Sequence, residues 1–173
     1  MTRLINILKR WKNVYILFII VFFVGVFGGA FFRKGGSVQS NSDSVYYGSI
    51  FLNNLDVGLL CLIGGLFTCG AIPIFVMCMN GYVVGNTINS LIIKGNIESL
   101  FTGLLPHFFI ELFGLLSFSV LGTFTGVIFL RFLQGEIHKV NYLKMIREGF
   151  IMLFIATSFL FLGAIIEDFV SWV

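Results

Sequence analysis

In the stretch Pro106-His107-Phe108-Phe109-Ile110-Glu111 an imidazole and a carboxylate stand four residues apart. On a helix that spacing puts both side chains on one face, within hydrogen-bonding reach. Pro106 marks the start of such a helix, where its missing N–H costs nothing. Three chemistries are open to the pair. It can work as a general acid and base, form half of an ion or metal site, or clamp its helix to its neighbours as a buried polar contact. Two ligands alone do not make a zinc site, and the His-Glu-x-x-His arrangement is absent. No nucleophile of recognisable spacing accompanies them. The clamp is therefore the expectation, with ion binding and catalysis by His107 and Glu111 as alternatives, and neither a metal nor a cofactor is expected.

Other polar residues bear on the same question. Asn53, Asn54 and Asp56 precede one apolar run, and Glu167 and Asp168 close another. Ordinary solvation of helix ends accounts for them; a polar vestibule follows if those ends adjoin. Asn80, Asn86 and Asn89 lie within apolar sequence, where each needs a hydrogen-bond partner, so they are expected between helices. Cys61, Cys69 and Cys78 all fall in one apolar stretch. They give no disulfide framework and are expected to act as small apolar residues.

The elements that must hold these groups are membrane helices. The 173 residues are 58% hydrophobic and 11% charged, with 22 phenylalanines, against about a quarter charged in an average soluble domain. Nineteen charges cannot clothe a globule that also hides so many aromatic rings. Disorder, nucleic-acid binding and a disulfide-stapled secreted module are excluded on the same ground. A helix needs about 20 apolar residues to cross the hydrocarbon core. Runs of that kind place five spans at residues 14–32, 57–78, 81–97, 106–130 and 149–170 of a single polytopic domain, residues 1–173. The second and third are expected to meet near Asn80-Gly81, the third being short, polar, and tilted or partly re-entrant. Residues 1–13, with Leu4, Leu8 and Trp11 on one face, read as an amphipathic segment on the membrane surface. Residues 33–48 read as a loop. Ile137, Val140 and Leu143 recur every three residues beside Lys139, Lys144 and Arg147, which predicts a second short interfacial helix.

Charge supports the count. With five crossings and the N-terminus inside, Arg3, Lys9, Arg10, Lys12, Arg131, Lys139, Lys144 and Arg147 face the cytoplasm. Only Arg33, Lys34 and Lys94 lie outside, the bias expected of inner loops. The fold class is thus an all-α bundle of about five transmembrane helices, N-inside and C-outside. Gly25 with Gly29, Gly81 with Gly85, and Gly122 with Gly126 recur at helical spacing. Such pairs let helix backbones approach closely in lipid. Packing within the chain is expected, and a homodimer seam through one pair is the alternative.

Ile50-Phe51-Leu52-Asn53-Asn54-Leu55, then Gly64-Gly65, Asn80-Gly81 with Gly85, and Leu105-Pro106-His107-x-x-x-Glu111 together resemble the stage II sporulation protein M family. The likeness runs from about residue 50 to residue 126. Phe108 stands where many relatives carry Gly, and Phe113 where Pro is common. The resemblance implies a multi-pass protein of the cytoplasmic membrane. The founding type serves engulfment during sporulation, anchoring a peptidoglycan-degrading machine. Compact relatives occur beside circular-bacteriocin genes, which implies maturation, export or immunity of a secreted peptide. The size of this chain is closer to theirs. Expected partners are the bilayer and membrane or secreted proteins of the same pathway, with no nucleic acid. An intramembrane hydrolase using His107 and Glu111 is the contrasting reading.

Overall fold

The computed structural model describes residues 2–32, 47–135 and 139–171. Within them the chain forms α1 (Thr2–Phe32), α2 (Tyr47–Thr68), α3 (Ala71–Ile93), a π-helical turn (Leu100–Leu104), α4 (Leu105–Leu133) and α5 (Lys139–Ser171). All five α-helices are long and apolar enough to cross a bilayer. Hydrocarbon offers no partner to a bare N–H or C=O, so a chain this apolar satisfies its backbone within helices. Large apolar side chains such as Phe31, Phe67, Phe154 and Phe169 point outward, as they can where the solvent is lipid.

Three boundaries differ from those read in the sequence. The second and third spans meet at Cys69-Gly70, not at Asn80-Gly81. Both residues there have positive φ, 52° and 114°, and a left-handed turn favours glycine. Asn80 lies inside α3, its amide Nδ2 donating to the Val76 carbonyl at 3.0 Å. The second helix therefore begins at Tyr47 rather than residue 57. The third spans Ala71–Ile93 at full length, 23 residues, rather than 81–97. Both expected interfacial helices are instead continuous with a span. Nothing between Trp11 and Val14 breaks α1, and Lys139 opens α5 directly. The Leu4 and Leu8 side chains, Ile137 and most of the expected loop at 33–48 lie outside the described residues.

The centre of the bundle is α4, two-thirds of whose span is buried against a third or less for the others. Trp11 meets Phe124 with ring centroids 4.3 Å apart, and Phe22 meets Phe108 at 5.8 Å. Between them Tyr15 donates its hydroxyl to Ser117 Oγ at 3.2 Å. As numbers rise on α1 they fall on α4, so the two run antiparallel. On α1 and α3 they rise together. A Cβ at Gly25 would lie 2.1 Å from the Cys78 carbonyl oxygen, and one at Gly29 2.0 Å from that of Tyr82. Reciprocally, one at Gly81 would lie 2.1 Å from Phe22 O and one at Gly85 2.0 Å from Val26 O. Gly122 and Gly126 on α4 do the same against α2, meeting Cys61 O at 2.2 Å and Gly65 O at 2.4 Å. All three glycine pairs thus lie in seams within the chain, where backbones touch and Cα–H groups face carbonyls. The parallel pairs α1/α3 and α2/α4 are what strictly alternating crossings require, and α5 runs antiparallel to α4.

Candidate functional site

The site forms where α4 begins. Proline has no N–H, and its ring crowds the carbonyl four residues back. At Pro106 that carbonyl belongs to Thr102, and the chain widens there into the π turn Leu100–Leu104, closed by Leu105 N–H donating to Leu100 O. Single π turns often mark functional positions. The next side chain to point inward is His107, one turn on comes Glu111, and α5 brings Glu167 down beside both.

Four side chains from three helices meet here. Asn54 on α2 donates its amide to Glu111 Oε1 at 2.8 Å. His107 Nε2 lies 3.9 Å from Glu167 Oε2, too far for a hydrogen bond. The Glu111 and Glu167 carboxyls are within hydrogen-bonding reach of each other. One donor atom from each of His107, Glu111 and Glu167 falls within 4.8 Å of the others. These three can hold a metal ion. The His107 side chain is 10% exposed and that of Glu167 35%, so the cluster is closed on the α4 side and opens beside Glu167. His107 Nδ1 is buried and makes no well-formed hydrogen bond, though the Gly103 carbonyl one turn back is close enough to act on the ring. Gly163, one turn before Glu167, makes the space: a Cβ there would lie 2.3 Å from Glu111 Cγ.

Set against the sequence, Glu111 takes its hydrogen bond from Asn54 rather than from His107, and the ring faces Glu167. Of the polar residues expected at these helix ends, Asn54 and Glu167 join the site; Asn53 and Asp56 are exposed beside it, and Asp168 is half-buried. Asn80 is far along α3 and bonds its own helix. Asn86 is buried against the α1 glycine seam, its backbone N 2.8 Å from where a Gly29 Cβ would be. The thiols are free and away from the cluster, Cys61 buried on α2, Cys69 in the turn and Cys78 on α3. Sequence reasoning missed Gly163. The one signal for it was a small residue four positions before Glu167, on the same helix face.

A family model described as stage II sporulation protein M matches residues 14–172. The chain belongs to the stage II sporulation protein M family. The match takes in α1 from Val14 onward, all of α2 to α5, and every residue of the cluster. No curated protein and no solved structure matches the chain. For this member of the stage II sporulation protein M family, the membrane-spanning helices and the position of the polar cluster among them are the basis for any functional reading.

Proposed function

We propose that the protein is a non-enzymatic, multi-pass component of the cytoplasmic membrane, N-inside and C-outside. It assists the maturation, export or immunity of a secreted peptide of the circular-bacteriocin type, or scaffolds an envelope complex. Its partners are the bilayer and membrane or secreted proteins of the same pathway. One observation carries the reading: Asn54, Glu111, His107 and Glu167 face one another across α2, α4 and α5. Such a cluster ties helices together, with His107 withdrawn from solvent and no Cys thiol beside it. Family membership and five membrane-spanning helices support the membrane role.

The contrasting reading, an intramembrane hydrolase, is favoured by one feature. Glu167 converges on His107 and Glu111 and is partly exposed, which gives water a route to an acid/base pair. Two substitutions separate the readings. Glu111→Gln keeps size and shape: its amide can accept from Asn54 and donate to Glu167, so the tie survives. Glu111→Leu removes both contacts and leaves Asn54 unpaired. The assay compares the amount of folded protein in membranes with the yield of the associated peptide or envelope process. Retained folding and activity in Glu111→Gln, with loss of both in Glu111→Leu, is the expected pattern. A folded but inactive Glu111→Gln protein would transfer the assignment to catalysis.

A further inference from the structure

We propose that His107, Glu111 and Glu167 bind a divalent transition-metal ion of the zinc class, which makes the polar tie a metal-braced junction of α2, α4 and α5. The inference deepens the reading of the cluster as a tie and rests on it. Two carboxyls in contact need something between them, because two bare anions repel strongly at low dielectric. A proton serves that purpose, and so does a cation. The geometry of the third residue points to the cation. The His107 ring is nine-tenths buried, and its Nε2 faces Glu167 Oε2 from 3.9 Å, beyond hydrogen-bonding distance. A lone imidazole nitrogen held at that distance from a carboxylate leaves room for an ion between them.

The dimensions fit. Four ligands about 2.1 Å from zinc stand roughly 3.4 Å apart in a tetrahedron. Donor atoms within 4.8 Å of one another reach that spacing by side-chain rotations of about 1 Å, with no movement of the helices. Three protein ligands leave one position for water, and the partly exposed Glu167 leaves a way in for the ion. An imidazole in the set favours zinc-class ions over magnesium or calcium, which prefer oxygen ligands alone. The surrounding groups are those that orient metal ligands. Asn54 fixes the Glu111 carboxylate from behind at 2.8 Å. The Gly103 carbonyl acts on the His107 ring from the π turn. Gly163 leaves Glu111 space to reach the centre.

The test uses tag-free full-length protein in detergent, stripped with chelator and titrated with Co2+ followed by visible absorption. Zn2+ then displaces the Co2+, and thermal unfolding is followed at each stage. Expected are one equivalent of Co2+ per chain with ligand-field bands, loss of those bands on adding Zn2+, and a raised unfolding temperature with bound metal. Glu167→Gln and His107→Ala abolish the bands. Glu111→Gln, which keeps the tie through hydrogen bonds, weakens Co2+ binding at least tenfold, and Asn54→Leu weakens it by about 10- to 100-fold. Should His107→Ala fail to fold, Glu167→Gln, at the more open position, decides. No bands in the wild type, or bands unchanged in Glu167→Gln, overturn the metal site. The tie itself is judged separately, from the unfolding of Glu111→Gln and Glu111→Leu without metal.

Discussion

Placing one methyl group in the seam between α1 and α3 tests the packing that surrounds the site. A Cβ at Gly85 would stand 2.0 Å from Val26 O and 2.7 Å from its carbonyl carbon. A carbon and a carbonyl oxygen rest at about 3.3–3.6 Å. Gly85→Ala therefore has to part the helices by roughly 1.3 Å. The obstacle is main chain in the middle of a helix, so it cannot swing aside as a side chain would. That places the cost near the upper end of the ~1–3 kcal/mol typical of overpacking. Alanine returns about 1 kcal/mol through its better helix propensity, leaving a net destabilisation of about 2 kcal/mol. For a chain of this size that corresponds to a fall of about 4–8 °C in unfolding temperature. Gly48→Ala is the control, since a Cβ near the start of α2 meets nothing within 4 Å. Adding Gly81→Ala to Gly85→Ala should cost little more, because the same separation relieves the contact with Phe22 O. The measurement is thermal unfolding of the detergent-solubilised protein. If Gly85→Ala unfolds with Gly48→Ala, the backbone contact is not there and the reasoning fails.

Cysteine labelling from outside the cell should reach positions 40 and 95 and miss position 141; labelling at 141 would overturn the N-inside, C-outside orientation. Reversing the charges of Lys139, Lys144 and Arg147 removes attractions of about 1 kcal/mol each to an anionic inner surface, so orientation or membrane yield should fall, and unchanged values would make this first part of α5 a mere connector. Tyr15→Phe deletes the hydroxyl bonded to Ser117 and should lower stability by about 0.6 kcal/mol, the average for such contacts in membranes; a larger loss would show the hydroxyl carrying more than one bond.

Much of the architecture was legible because lipid imposes one rule on the backbone. Apolar length alone reports the helices. Boundaries were harder. Asn80-Gly81 has the composition of a turn, yet Gly81 serves close approach to Phe22 and Asn80 caps a carbonyl of its own helix. The actual turn at Cys69-Gly70 is flanked by residues as apolar as the spans. His107 and Glu111 stood out because ionisable groups are costly within a membrane. Their partners did not, because spacing along one helix says nothing about which neighbour faces it. Asn54 and Glu167 are 57 and 56 residues from Glu111 on opposite sides in sequence, and only the parallel packing of α2 and the antiparallel packing of α5 bring them together. Gly163 escaped notice for the same reason: its role is the room it leaves for a side chain on another helix.

The central claim is that polar side chains of three helices hold one another at the head of α4, and the Asn54–Glu111 pair tests it most directly. A double-mutant cycle of Asn54→Leu and Glu111→Leu, read by unfolding in detergent with chelator present, isolates the contact from everything else the two residues do. For a 2.8 Å bond inside the bundle, the coupling should be about 1 kcal/mol, between the average and the maximum measured between membrane helices. The double variant should then be more stable than the two single losses added together. Effects that add to within about 0.3 kcal/mol would contradict the account, showing that α2 and α4 are not joined through these residues.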